Sequence, residues 1–323
     1  MFGGLGGAPR HDLEDQSTRH LQGQGQQQRR PQQNRVRRPR REVETSPRQQ
    51  RPRPPKGGFS AAAPIGTDTL RVIPLGGVGE VGKNMTVVEC GNDIVMLDAG
   101  GKFPEDSQRG IDLIIPDITF VTDRLRNFRG ILITHGHEDH IGGLPYIIPQ
   151  LEQKGRTIPI YAPPLAIGFI QRKLEEARLD DKVELHAVNG GETVTLGGIK
   201  AEYIHVTHSI PDSCAIALHT PVGTIMDTGD FKFDPTPVMG KPTDERRLKQ
   251  LGDKGVLALF SDTVRVEVDG STPSEAVVLR TMDEEILTAK GQVIIATFAS
   301  NVSRIHMAML AARKYGRNVA VAG

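Results

Sequence analysis

The fold of this chain is decided by the stretch Ile133-Thr134-His135-Gly136-His137-Glu138-Asp139-His140. It overlaps a short apolar segment, 130–134, that predicts a β-strand. His135 and His137 lie two positions apart, which places both imidazoles on one side of an extended segment. Asp139 and His140 follow where the chain is predicted to turn into a helix. Imidazole and carboxylate ligands without thiolate are typical of two adjacent divalent cations, zinc or manganese. An ordinary solvated loop is the alternative, but it does not explain four such residues after an apolar strand.

Two residues later in the chain are candidates to complete this metal site. His208 and Asp230 each closely follow a predicted strand, a position at which loops commonly present functional side chains. Asp230 has two carboxylate oxygens and can bridge two cations. For His208 taken alone, a local polar role is the alternative to metal binding. His205 and His219 lie in the same part of the chain, and His205 is a candidate for the core or for a supporting role.

Apolar and alternating segments predict the secondary structure around these residues. Strands are expected at 70–74, 85–90, 93–97, 130–134, 158–162, 183–188, 199–205, 214–220 and 224–227, and helices at 142–151 and 164–178. Because strands and helices interleave, the sequence predicts an α/β (α+β) fold whose sheets are covered by helices.

The pattern changes after about residue 245. Strands are predicted at 256–261, 293–296 and 318–322, and helices from a capped start at 271–275 to about Ala289 and from Val302 to Tyr315. This βαβαβ order predicts the start of a parallel-sheet domain over residues 246–323.

The first 67 residues form a separate segment by composition. Residues 1–60 hold 13 Lys and Arg against 5 Asp and Glu, whereas residues 61–323 hold 27 against 34. With 10 Gln and 7 Pro in residues 1–60, this composition predicts a disordered basic arm. Its arginines suit the phosphate backbone of a nucleic acid. A solvated tail without a specific role is the alternative, and the lack of interleaved aromatic residues argues against base stacking.

Composition also excludes several classes of protein. No segment approaches the ~20 apolar residues of a membrane span, and no apolar stretch typical of a secretory signal follows the N-terminus. Two cysteines, Cys90 and Cys214, are too few for a disulfide framework or a four-thiolate zinc site. We therefore expect a cytoplasmic protein in a reducing compartment, without membrane contact.

Taken together, these residues resemble the metallo-β-lactamase superfamily. Its ligand pattern is matched, in order, by Asp98, His135, His137, Asp139, His140, His208 and Asp230. Within that superfamily the chain resembles the ribonuclease J family over about residues 68–323. The motifs that carry this closer resemblance are Gly76–Met85, Asp98–Gly100, Phe103–Asp106, Asp112–Asp117, His140–Tyr146, His208–Ser213, Gly229–Lys232, Ser261–Asp262, Thr272–Glu275 and Thr297–Asn301.

The resemblance implies a fold and a domain order. It implies an αββα metallo-β-lactamase sandwich over residues 68–245, followed over 246–323 by the start of a β-CASP domain, with the basic arm over 1–67. Family members continue well beyond this length, so the chain is expected to be truncated and the sandwich incomplete. The arm is similar to those of actinobacterial members.

The resemblance also implies an activity, the metal-dependent hydrolysis of RNA phosphodiester bonds by 5′→3′ exonuclease and endonuclease action in RNA maturation and decay. It assigns His135, His137 and His208 to one divalent cation, Asp139 and His140 to a second, and Asp230 as a bridge between them. Zinc is the first choice and manganese the alternative. The catalytic candidates are Asp98, which would orient histidine ligands, and Asp139, which could accept a proton from the attacking water.

Ser300 and Asn301 are the candidates for substrate binding, because backbone N–H groups at the start of a helix suit a phosphate. A plain helix cap is the alternative. The implied partners are single-stranded, 5′-monophosphorylated RNA, further copies of the chain in a dimer or tetramer, and other proteins of RNA degradation.

Two other functions stay open at this point. A metallo-hydrolase of small thioesters or lactams shares the metal motif, but it predicts neither the segment after residue 245 nor the arm. A non-catalytic RNA-binding fragment would act through the arm alone.

Overall fold

The computed structural model describes residues 65–66, 68–153 and 155–322. All but two residues of the predicted arm, 1–67, lie outside these described residues. The predicted disorder of the arm, its nucleic-acid binding and its similarity to actinobacterial arms therefore stay predictions.

The described strands form two sheets. The first contains β1 (Leu70–Gly76), β2 (Met85–Cys90), β3 (Asp93–Leu97), β4 (Phe128–Leu132), β5 (Ile158–Ala162) and β6 (Val183–Ala187), which neighbour one another in chain order. β1 to β3 are antiparallel and β3 to β6 are parallel. The second contains β7 (Thr193–Leu196), β8 (Ile199–His205), β9 (Cys214–Thr220), β10 (Gly223–Asp227) and β11 (Ala258–Phe260). Its order is β11-β10-β9-β8-β7, and only β10 and β11 pair in parallel.

The α-helices of the described residues are α1 (Thr119–Thr122), α2 (Glu138–Ile141), α3 (Leu144–Leu151), α4 (Pro164–Ala177), α5 (Glu245–Lys254), α6 (Glu275–Thr288) and α7 (Val302–Lys314). Short 3₁₀ turns occur at Leu125–Asn127 and Asp180–Lys182. In α4, Pro164 suits the first turn because its N–H would be unpaired there in any case. Ala166, Ile170 and Leu174 then form one buried stripe at a spacing of four residues.

Successive side chains of a strand point to opposite faces, and this alternation builds the layers. In β3, Met96 lies in a buried cluster with residues of α3 and α4, whereas its neighbour Leu97 packs between the two sheets. On the far face of the second sheet, Ala217 of β9 shares a cluster with Leu251 of α5. The layer order is helices, sheet, sheet, helix. The predicted αββα architecture is confirmed.

The loops that position the candidate residues meet at one edge of this sandwich. β3 and β4 run parallel, and β8 and β10 share one direction because each is antiparallel to β9. The two sheets are joined at this edge where the N–H of Cys214 donates to the C=O of Thr134, with N···O 3.0 Å. Side chains that follow four different strands are thereby brought together.

Most of the predicted secondary structure is confirmed, with ends that differ by a few residues, but two predicted strands are wrong. Residues 293–296 and 318–322 adopt no strand and pair with no strand of the described residues. A strand is stable only when its backbone N–H and C=O groups pair with a neighbour. The apolar side chains that suggested these strands are not buried, since Ile294 is 85% and Val321 71% exposed.

Three of the described strands and α-helices were not predicted: the four-residue α1, β7 and α5. β7 is a short strand with a half-exposed pattern, and α5 is so polar that Leu251 is its one buried side chain. β11, which follows the predicted domain boundary near residue 245, extends the second sheet by pairing with β10. The boundary itself stays a prediction. Within the described part of the chain, no helix combines the length and apolar character needed to cross a bilayer.

Candidate metal centre

The turn that follows β4 is shaped by a glycine between two histidines. A Cβ added to Gly136 would lie 2.8 Å from the ring of Phe169 and 3.2 Å from Cα of Ala166, so α4 packs directly against the backbone here. His135 is fully buried beneath the turn. The chain then enters α2, which places Asp139 and His140 on the same side of the pocket as the first two histidines.

One group of candidate ligands contains three imidazoles and a carboxylate. His135 Nε2 lies 3.1 Å and His208 Nε2 3.2 Å from Nδ1 of His137. Oδ2 of Asp230 is 4.0 Å from His135 Nε2 and 3.7 Å from His208 Nε2. All four ligand atoms fall within 4.8 Å of one another, although they come from loops after three different strands.

A second group shares Asp230 with the first. Oδ1 of Asp230 lies 3.4 Å from Nε2 of His140, and the same nitrogen lies 3.6 Å from Oδ2 of Asp139. The two carboxylate oxygens of Asp230 thus face different groups. The structure brings together all six residues that the sequence analysis assigned to metal binding.

Asp98 lies behind the second group. Nδ1 of His140 donates to Oδ2 of Asp98 at 2.7 Å, and the N–H of Thr134 donates to Oδ1 at 2.8 Å. Asp98 has a φ of +56°, an uncommon conformation for a residue other than glycine. These bonds fix the ring of His140 and turn its Nε2 toward Asp139 and Asp230.

Burial and local charge set the protonation of the ligands. Burial lowers the pKa of His208 to about 4 and holds the pKa of His135 well below its ordinary value. Burial opposes ionisation of Asp230, but the hydrogen bond and charge of His140 outweigh it and lower the pKa of Asp230 to about 2. Burial likewise opposes protonation of His140, whose pKa the charge of Asp98 raises well above its ordinary value.

This donor set fits divalent cations. Burial also lowers the pKa of His137, so the imidazoles of His135, His137 and His208 keep their nitrogen lone pairs at neutral pH. They converge beside the ionised carboxylate of Asp230. Neutral imidazole with carboxylate is the ligand combination of zinc and of manganese sites. A hydrogen-bonded carboxylate behind one of the histidines is the usual support of such a ligand.

Three residues near the site were not singled out as site residues in the sequence analysis. The side-chain amide of Asn84 donates to the C=O of Asp139 at 3.1 Å and lies 3.0 Å from His140 Nε2. Thr134 bonds Asp98. Burial raises the pKa of Asp227, at the end of β10, to about 6. For Asp227, the sequence signal that could have been used is a carboxylate at the end of a strand. Asn84 and Thr134 had no comparable signal in the sequence.

The remaining candidates divide between the site and its surroundings. The C=O of Ser300 lies 3.2 Å from Nε2 of His137, so this turn reaches the first group. Asn301 caps α7 by accepting from the N–H of Arg304 at 2.9 Å, and a role in substrate binding stays a prediction for both. His205 bonds the C=O of Lys241 and His219 bonds Glu202, away from the ligand groups.

Comparison with known proteins agrees with this geometry. The sequence model of the metallo-beta-lactamase superfamily matches residues 78–283, and that of the "Ribonuclease J, beta-CASP domain" family matches residues 290–323. The chain is 43% identical over 259 residues to ribonuclease J of Synechocystis sp., which covers 80% of this chain and 40% of that protein. It is 41% identical to ribonuclease J of Thermus thermophilus, over 79% of this chain and 45% of that protein. The chain therefore spans less than half the length of these two relatives.

A solved structure shares the fold. A protein of unknown function from Enterococcus faecalis superposes with a TM-score of 0.55 at 17% sequence identity, over 78% of this chain and 70% of that one. The superfamily match covers well over half of the chain, including every candidate ligand, and the layers and ligand groups agree with it. The chain belongs to the metallo-β-lactamase superfamily.

Proposed function

We propose that the chain is part of a metal-dependent ribonuclease that hydrolyses RNA phosphodiester bonds. The observation that carries the proposal is the position of Asp230, whose two oxygens face two separate groups of candidate ligands. The similarity to proteins named ribonuclease J supports RNA as the substrate.

Each ligand group would hold one divalent cation. His135, His137 and His208 would bind the first, Asp139 and His140 the second, and Asp230 would bridge them. Zinc is preferred and manganese is the alternative, because mixed nitrogen and oxygen ligands suit both. Two bound cations would lower the pKa of a water molecule and offset the charge of the attacked phosphate.

Residues of the chain itself would orient the histidine ligands and accept a proton from the attacking water. Asp98 holds Nδ1 of His140 and so keeps its Nε2 directed at the second group. The Asp139 side chain is 32% exposed, so it is accessible to the attacking water and could take its proton. Asn84 fixes the backbone of Asp139 through the hydrogen bond to its C=O.

A cleft beside the first group would admit the substrate. It is lined by His137 and Asp139, by Ser300, and by the exposed aromatic rings of Phe103 and Phe298. A flexible single strand suits a cleft of this kind, because its bases are free to contact apolar rings. The N–H groups at the start of α7 would contact a phosphate.

Finer features rest on the resemblance to ribonuclease J. They are a preference for a 5′-monophosphate, combined 5′→3′ exonuclease and endonuclease action in ribosomal RNA maturation and messenger decay, assembly as a dimer or tetramer, contact with other RNA-degradation proteins, and a cytoplasmic location.

The test is an assay of labelled single-stranded RNA carrying either a 5′-monophosphate or a 5′-triphosphate. The 323-residue chain and the product of its complete reading frame are compared, each with Zn²⁺ or Mn²⁺ and each beside a His137→Ala variant. We expect turnover that requires the cation, is faster on the monophosphate and is lost in the variant. Hydrolysis of a small ester without RNA cleavage would favour the small-substrate hydrolase instead. RNA binding without turnover, lost on deletion of residues 1–60, would favour a non-catalytic role.

A further inference from the structure

A carboxylate outside the ligand groups ties the loop of His208 to helix α4. The N–H of Leu165 donates to Oδ2 of Asp212 with N···O 2.7 Å, across 47 residues of sequence. Asp212 lies four positions after His208, in the loop 206–213 between β8 and β9. The base of this loop is closed by the N–H of Val206, which donates to the C=O of Ser213 at 2.9 Å.

Asp212 supplies a partner that the start of α4 lacks. The first N–H groups of a helix have no acceptor within the helix, and the positive end of the helix dipole favours a carboxylate. Pro163 at the N-cap makes no side-chain cap, and Pro164 has no N–H. Leu165 therefore offers the first donor of the helix, and Asp212 accepts from it.

This cap differs in kind from those of two other helices. Asp244 caps α5 and Ser274 caps α6, and each of these residues directly precedes its own helix. Asp212 reaches α4 from a distant loop. Among the residues that the structure describes, its other oxygen, Oδ1, is buried without a hydrogen-bond partner, so the bond from Leu165 is the main restraint on this side chain.

α4 contacts both loops that carry the histidines of the first ligand group. Cα of Ala166 lies close enough to Gly136 that a Cβ there would approach it to 3.2 Å. Leu165, the residue before Ala166, holds Asp212. Two consecutive residues of one helix thus touch the turn of His135 and His137 and the loop of His208, which makes the helix a rigid spacer between them.

We infer that Asp212 is a positioning residue of the metal centre, which holds the His208 imidazole beside His137 by fastening the 206–213 loop to α4. The inference rests on the metal centre proposed above. Asp212 acts through His208: removal of its acceptor releases the second half of the loop from α4. Thr207 and Ser209, on either side of His208, keep their backbone hydrogen bonds to Lys232, Thr243 and Ser303.

The test is a titration of the metal-free chain with Co²⁺, followed by visible absorption, which reports the number and type of ligands. Asp212→Ala removes the acceptor, and Asp212→Asn retains one. His208→Ala gives the reference spectrum for a lost ligand. Asp244→Ala is the matched control. It also removes an aspartate that caps a helix, but among the described residues the Asp244 side chain bonds Arg247 of its own helix α5 and no loop that holds a candidate ligand. We expect Asp212→Ala to weaken Co²⁺ binding about 10-fold, the lower end of the effect of residues that orient metal ligands, and to shift the spectrum toward that of His208→Ala. Asp212→Asn and Asp244→Ala should keep the spectrum of the unchanged chain.

An Asp212→Ala chain with unchanged affinity and spectrum would overturn the inference. Circular dichroism identifies variants that do not fold. If Asp212→Ala is one of them, Asp212→Asn decides, since a folded Asp212→Asn chain that loses the His208 signature contradicts the role of the acceptor. If the unchanged chain binds no Co²⁺, the metal centre and this inference fail together. If it binds Co²⁺ and only the Asp212 result is contrary, the metal centre stands.

Discussion

Nδ1 of His140 lies 2.7 Å from Oδ2 of Asp98, across 42 residues of sequence. The bond occupies Nδ1, so Nε2 is the ring nitrogen that faces Asp139 and Asp230. One carboxylate thereby selects which nitrogen of a candidate ligand is presented to a cation.

This relationship predicts the effect of Asp98→Asn. An amide in place of the carboxylate can donate to Nδ1, which moves the ring proton to Nε2 and blocks the ligand atom. We expect the affinity of the second cation to fall about 10- to 100-fold, measured by calorimetric titration. Asp93→Asn is the control, because Asp93 begins β3, the strand that Asp98 follows, but pairs with Arg129. Equal affinities in Asp98→Asn and the unchanged chain would contradict the role of Asp98.

The shared position of Asp230 predicts an unequal loss of metal. Asp230→Ala removes a ligand from both groups, whereas His137→Ala removes one from the first group alone. We expect elemental analysis of the purified variants to find both cations missing after Asp230→Ala and one retained after His137→Ala. Identical metal contents in the two variants would disprove the bridge.

The low pKa of His208 predicts how the stability of the metal-free chain depends on pH. Burial lowers this pKa to about 4 in the folded state, against about 6.5 in the unfolded chain. Between these values the unfolded chain binds more protons, so the free energy of unfolding falls as the pH falls from 6.5 toward 4. Between pH 7 and pH 4.5 the free energy of unfolding should therefore fall by roughly 2 kcal/mol less in His208→Asn than in the unchanged chain, as measured by urea unfolding. A variant with the full pH dependence of the unchanged chain would show that His208 titrates normally.

Gly100 predicts a severe effect of a single methyl group. A Cβ at this position would lie 1.7 Å from the carbonyl oxygen of Asp139 and 2.6 Å from the N of Asn84. We expect Gly100→Ala to destabilise the fold by about 3 kcal/mol or more and to displace Asp139. Gly168 is the control, because it lies in α4 with no atom within 4 Å of an added Cβ. Gly168→Ala should stabilise the chain by roughly 0.5–1 kcal/mol, and equal thermal shifts in the two variants would refute the contact.

The two cysteines are expected to be unreactive in the native chain. Cys90 and Cys214 are both buried as free thiols, and burial raises the pKa of Cys214 to about 12. Because the thiolate is the reactive form, a chromogenic disulfide reagent at pH 8 should label neither residue until denaturant is added. Rapid labelling of the folded chain would contradict the packing of β2 and β9.

Local patterns were sufficient to predict most of the elements. β2, β3, β5, β8 and β9 have the bounds expected from their apolar residues, because the period of side-chain burial is set within a few residues. The same patterns failed at 293–296 and 318–322, where an apolar run exists without a partner strand. α5 was not predicted, because a helix with a single buried leucine has no apolar stripe in its sequence.

The ligand types and their order could be predicted from the sequence, since His135, His137, Asp139 and His140 are neighbours in the chain. Roles that depend on contacts across the fold were not. That each oxygen of Asp230 faces a different group, that Thr134 supports Asp98, and that Asp212 caps α4 all join residues far apart in the chain. Such contacts follow from how two sheets stack and where their loops meet, a property of the assembled layers that no local pattern encodes.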